Sequence, residues 1–179
     1  MIQLTKYSHG AGWACKLGPS ELAQVLTPLH NHPASSHPDL LVGTSTSDDA
    51  GVVRIAPDQA LVQTVDFFTP VCDDPRDFGA ISAANSLSDI YAMGAEAQSV
   101  LAIATVPYGR EKVVEETLYD VLAGALTMVE PAGAVLAGGH SSEGAELAFG
   151  LTVNGLIDPQ KVLRKGGLQD GDAIILTKP

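Results

Sequence analysis

Apolar runs of strand length, broken by two long helical segments, predict an α+β fold with α/β-type layers and helices on at least one face of a sheet. Composition agrees. Of 179 residues, 45% are hydrophobic and 17% charged, which suffices for a packed core without disulfides. There is no internal repeat or low-complexity stretch to suggest a solenoid or a linker.

The elements follow in chain order. Residues 1–18 are polar and Gly-rich and read as a loop or mobile arm. A domain is expected over 19–179. PSELAQVLTPLH opens with Pro and Ser and then places Leu22, Val25, Leu26 and Leu29 at helical spacing. HNHPASSHP is a loop, and LLVG a short buried strand. DDAGVVRIAPDQALVQTVDFF reads as two strands joined by a turn near Pro57 and Asp58. DFGAISAANSLSDIYAMG is a helix ended by Gly94, rich in Ala and Ser and so suited to close packing. SVLAIATVP is a buried strand and EKVVEETLYDVLAGALTMVE a long amphipathic helix. AVLAGG is a strand ending on its glycines, LAFGLTVNGLI another, and DAIILTK a last one.

Charge and cysteine content exclude some functions. A net charge of −11 argues against nucleic acid or an anionic membrane as partner. Any anionic ligand would need a metal or a local cation beside it. Two cysteines, Cys15 and Cys72, make no disulfide framework, which points to a reducing cytoplasm. The start MIQLTKYSHG lacks the apolar core of a signal peptide. No apolar run is long enough to span a bilayer.

Asp48, Asp49, Asp66 and Asp89 are the candidate chemistry. Asp66 ends an apolar strand, and Asp89 lies four residues after Asn85 on one helix face. Turn and cap roles account for such aspartates. So does a hard-cation site, in which carboxylates from several elements bind Mg²⁺ and the metal holds a polyphosphate. VLAGGHSSEG runs a strand into Gly-Gly, where main-chain N–H groups can approach an anion. It is neither a Walker A loop nor a dinucleotide fingerprint. Lys16, on the Gly-rich arm, could swing over a phosphate as a point charge. The histidines of HNHPASSH have no partners at zinc spacing.

The ordered set LTKYSHGAG-x-x-CK, LLVGTSTSDDA, TVDFFTPVCDDPRDFGAISAANSLSDIYAMGA, LAGGHS and ILTKP resembles the selenophosphate synthetases (selenide, water dikinases). N-x-x-x-D on the helix is shared with aminoimidazole ribonucleotide synthetases and thiamine-monophosphate kinases. The resemblance implies an aminoimidazole-ribonucleotide-synthetase-like N-terminal domain: a mixed sheet with helices on one face, paired with a second copy in a shared barrel. It implies synthesis of selenophosphate from selenide, ATP and water, releasing AMP and phosphate. Lys16 would contact phosphate and serve catalysis. Asp49 and Asp89 would ligate Mg²⁺, with Asp66 near a metal. Thr46, Ser47, Asp48 and Asp66 would line the nucleotide, and Asn85 would support the face of Asp89. Gly139, His140 and Ser141 would contact nucleotide from the partner. The family is about twice this length, and its C-terminal half would add a metal carboxylate. The chain is therefore expected to be the ATP-binding half, inactive by itself.

One position departs from the pattern. Trp13, the only tryptophan, stands where the family has its catalytic cysteine or selenocysteine; Cys15 matches a second cysteine. Indole only donates a hydrogen bond and cannot act as the nucleophile. Three readings remain: a selenocysteine codon, UGA, translated as Trp; a paralogue that binds nucleotide without the nucleophile; or Cys15 in its place. A related small-metabolite kinase is a further alternative, against which the SHGAG arm and Cys15–Lys16 pair argue. A codon 13 reading UGG removes the first.

Overall fold

The structure, a computed structural model, describes residues 3–7, 10, 12 and 16–176. Six strands form one sheet: β1 (Leu40–Val42), β2 (Gly51–Ala56), β3 (Gln59–Phe68), β4 (Glu96–Pro107), β5 (Val135–Gly144) and β6 (Ala148–Ile157). Their spatial order is β1-β2-β3-β6-β4-β5. Only β4 and β5 pair in parallel; every other neighbouring pair is antiparallel. The sheet is mixed, as expected. The parallel pair is bridged by α3 (Glu111–Val129), which supplies the crossover such a pair requires. A short α1 (Pro19–Leu26) precedes the sheet, and α2 (Pro75–Ala92) follows β3.

Strict alternation on β3 separates its two faces. Ala60, Val62, Thr64, Asp66 and Phe68 are buried, whereas Gln63, Val65 and Phe67 are exposed. The buried face continues through Leu151 and Val153 of β6 and Val100, Ala102 and Ala104 of β4. α2 packs on β3 and β6, and α3 packs on α2. The opposite face carries no helix among the described residues and leaves Val65 58% exposed.

α2 is well specified. Asp74 caps its start, accepting from the N–H groups of Arg76 (2.8 Å) and Asp77 (3.1 Å), with Pro75 in the first turn. Gly94, at φ +77°, follows its end, as the sequence predicts. Phe78 at its foot meets Phe68 of β3 and Phe149 of β6 edge-on, with ring centroids 5.9 and 6.4 Å apart. The small residues do bring helices together. A Cβ on Gly79 would strike the main chain of Val121, and one on Gly124 that of Arg76.

Two expectations are corrected. β5 does not stop at Gly138 and Gly139; it runs on to Gly144, with Gly138–Gly144 paired to Leu101–Pro107. The glycines permit this. Gly138, at φ +148°, sits where the register shifts, and Gly139 has no Cβ to collide with Ala102. The apolar run DAIILTK forms no strand over 173–176, and Ile174, Ile175 and Leu176 are exposed. Strand propensity needs a ladder partner, and this run has none among the described residues. Thr177, Lys178 and Pro179 lie outside the description. No helix among the described residues is long and apolar enough to cross a membrane.

Gly124→Ala tests the helix contact by its sign. In an open helix this change stabilises by about 1 kcal/mol. Here the added methyl must push α2 and α3 apart, so denaturant unfolding should show a destabilised protein. A gain in stability would contradict the packing.

Candidate active site around Asp66 and Asp89

β3 and α2 run antiparallel because a short connection, residues 69–74, folds the chain back. Their periods nearly agree. Two residues along a strand advance about 6.7 Å, and four along a helix about 6 Å. Two side-chain pairs therefore face each other in step. Thr64 Oγ1 donates to Asp89 Oδ2 at 2.6 Å, and Asn85 Nδ2 donates to Asp66 Oδ2. Lys16 Nζ binds the other oxygen, Asp66 Oδ1, at 2.7 Å.

Asp66 is 9% exposed, so its charge is matched inside the protein by Lys16 and Asn85 rather than by water. Asp89 is pushed above the ordinary carboxylate range. Burial is the main cause, and the charges of Asp66 and Asp49 add to it; the Thr64 hydroxyl and Lys16 oppose it. Asp49, just before β2, is thus within electrostatic reach of Asp89. Asp66, Asn85, Asp89 and Lys16 gather from three segments of the chain, with Asp49, on a fourth, in electrostatic reach of Asp89.

The segment carrying Lys16 is anchored nearby. Thr5 donates to Asp73 Oδ1 from its N–H (3.1 Å) and its hydroxyl (2.6 Å). Gly12 N–H bonds Thr69 O (3.3 Å), and Thr69 Oγ1 bonds Gly10 O (2.7 Å). Leu4 and Gly12 are buried. Trp13 and Cys15 lie outside the described residues.

Other expected residues sit elsewhere. Asp48 Oδ1 accepts the N–H of Lys165 at 2.7 Å. Its carboxyl is held below the usual range first by Thr46 and then by that N–H. Ser47 adopts φ +52°, unusual for a residue with a side chain. Gly139 shares a lateral row with Asp66, through Ala102 and Leu151. Three strand spacings, about 14 Å, separate them. Gly139, His140 and Ser141 are exposed on edge strand β5, so one chain does not bring them to the carboxylates. In the His-rich loop, His32 and His37 accept from the N–H groups of Ala34 (3.1 Å) and Asp39 (3.2 Å) and so brace turns. His30 Nε2 is buried without a partner among the described residues, beside a polar cavity of about 240 Å³.

Thr64 is the site residue that the sequence reading lacks, although strand alternation puts it on the face of Asp66. The Lys165 contact leaves no local signal, being 117 residues from Asp48.

Residues 47–157 match the family described as AIR synthase related protein, N-terminal domain. The chain belongs to this family. It is 47% identical over 178 residues to a protein named selenide, water dikinase from Caldanaerobacter subterraneus subsp. tengcongensis, covering 99% of this chain and 50% of that one. The chain thus spans about half the length of the curated relatives it matches. Among solved structures, tt0281 from Thermus thermophilus superposes with a TM-score of 0.65 at 26% identity, covering 86% of this chain and 48% of that one. Thiamine-monophosphate kinase from Stenotrophomonas maltophilia K279a does so at 0.58 and 25%, covering 82% and 46%. The aminoimidazole-ribonucleotide-synthetase-like domain with a mixed sheet, expected from the sequence, is therefore the one found.

The position of Asp89 has a consequence for stability. Its folded pKa lies above the ordinary value of 3.8, so between those two pH values the folded protein binds more protons than the unfolded one. Stability from this group is then lost as pH rises through that window. In metal-free protein, Asp89→Asn should raise Tm at pH 7, and the gain should shrink below about pH 4. A Tm lowered at pH 7 would contradict the burial and like-charge penalty assigned to Asp89.

Proposed function

We propose that this chain is the ATP- and Mg²⁺-binding half of an enzyme that makes selenophosphate from selenide, ATP and water, releasing AMP and phosphate. The observation that carries the proposal is the convergence of Lys16, Asp66, Asn85 and Asp89 in a chain whose curated relatives are selenide, water dikinases.

The donor set suits Mg²⁺. Asp49, Asp66 and Asp89 offer hard carboxylate oxygens, and a divalent charge would offset the burial and the neighbouring negative charge that raise Asp89. Among the described residues, no three His, Cys, Asp or Glu side chains form a ready-made metal cage. Phosphate oxygens and water would have to complete the shell, as they commonly do for Mg²⁺. Bound there, the metal would neutralise the triphosphate and polarise its phosphoryl oxygens. Asp49 and Asp89 would hold it, with Asp66 beside them. Asn85 orients Asp66. Lys16, whose side chain is half exposed, reaches from Asp66 to a phosphate oxygen and stabilises charge on the departing group. Thr46, Ser47 and Asp48 form the loop along the nucleotide.

Gly139, His140 and Ser141 act across an interface. The uncovered sheet face, with Val65, Phe67 and Leu101 exposed, pairs with a second copy in a shared barrel, and the partner's β5 completes the nucleotide site. The segment up to residue 18 is the catalytic arm, and residues 19–179 form the nucleotide domain. The protein works in the cytoplasm. Residue 13 decides the final step: as selenocysteine it carries the nucleophile, ionised at neutral pH. As a true Trp it leaves Cys15 in the role or the second reading, a nucleotide-binding paralogue that forms no AMP.

Full-length protein should release AMP from ATP only when selenide is present, and Asp89→Ala should abolish Mg²⁺-dependent ATP binding while the protein stays folded. Undiminished binding would remove Asp89 from the site; ATP binding without selenide-dependent AMP would favour the paralogue. For the interface, light scattering should report a dimer, and Phe67→Asp a monomer. A wild-type monomer would end the barrel proposal.

A further inference from the structure

The strand-free segment after β6 folds back over the loop that carries Asp49. From Ile157 it passes the end of α2, where Leu163 N–H bonds Met93 O at 3.1 Å and Leu163 packs on Gly94. It then reaches the loop between β1 and β2. Arg164 Nη2 donates to Leu41 O at 2.9 Å. Lys165 grips twice: its N–H donates to Asp48 Oδ1 at 2.7 Å, and its Nζ to Ser47 O at 3.2 Å. The loop it holds includes Ser47 at φ +52°, a conformation that is costly for a residue with a side chain and persists only where surroundings enforce it. Residues 43–46 lie beside a polar cavity, so little packing supports the loop from that side. The next residue after the gripped pair is Asp49.

We infer that Lys165 is a positioning residue: by bonding Asp48 and Ser47 it holds the β1–β2 loop in the conformation that presents Asp49 to the metal–nucleotide site. This rests on the reading of Asp49 as a metal ligand. Lys165 touches no reacting group; it acts through the loop. The device also ties together two ends of the domain, since the residues doing the holding follow the last strand and those held precede the second.

Hydrogen exchange and ligand binding test it on the full-length protein. Lys165→Met removes the ammonium contact with Ser47. Amide exchange in residues 44–49 should quicken, and Mg²⁺–ATP should bind about tenfold more weakly, the worth of one charge-assisted hydrogen bond. Lys165→Arg should restore both values, which generic destabilisation would not allow. Asp48→Ala, lacking the acceptor for the Lys165 N–H, should quicken exchange in the same peptide. Unchanged exchange and affinity in Lys165→Met, in a wild-type protein that binds Mg²⁺–ATP, would overturn the latch alone. A wild type showing no Mg²⁺-dependent binding would instead overturn the nucleotide reading and remove the latch's purpose with it.

Discussion

Two carboxylates, Asp66 and Asp89, are carried into the covered side of the sheet, and the rest of the site is arranged around the cost of that burial. A carboxylate partly removed from water is costly because it is not fully solvated, and nearby negative charge adds to that cost at Asp89. The protein answers with Lys16 and Asn85 on Asp66 and with Thr64 on Asp89. None of these is a surplus charge of the bulk chain, which is strongly acidic. They are local and placed by the backbone. The near match between strand and helix rise is what keeps the two pairs in step. The Phe68–Phe78–Phe149 contact fixes the start of α2 against β3 and β6, so that the pairs cannot slide.

Around this centre, parts distant in sequence are tied by short bonds, with Leu4 and Gly12 buried as well. Residues 5, 10 and 12 are bound to the β3–α2 connection, and Lys16 follows them onto Asp66. The β1–β2 loop is bound by residues 164 and 165. Exposed contacts of this kind add little to global stability. Their effect is to select one arrangement of loops on a scaffold that α2, α3 and the sheet already make rigid. A site assembled in this way suits a reaction in which charged groups must meet and then part, as phosphoryl transfer demands.

Much of this is legible in the chain alone, and the reasons differ by element. β3 and α2 announce themselves because alternation and helical spacing are local patterns, and the cap at Asp74 and the stop at Gly94 are local too. Asn85 and Asp89 are legible for the same reason: one helix turn puts them together. β5 outruns its expected end because paired glycines usually close a strand. Here the adjacent β4 lies so close that glycine is needed to continue. DAIILTK misleads because apolar β-branched composition says nothing about whether a partner strand is available. The Asp48–Lys165 contact is invisible to local patterns, since it depends on where the segment after β6 travels. Thr64 is within reach of strand alternation, but a hydroxyl on a strand attracts less notice than a carboxylate.

The most direct test is a crystal structure of the full-length protein with Mn²⁺ and a non-hydrolysable ATP analogue, using the metal's anomalous scattering to place it. The account predicts a peak bonded to carboxylate oxygens of Asp49 and Asp89 at roughly the 2.1 Å expected for Mg²⁺, with phosphate oxygens completing the shell. A nucleotide bound with no metal at these carboxylates, or a metal held elsewhere, would contradict it.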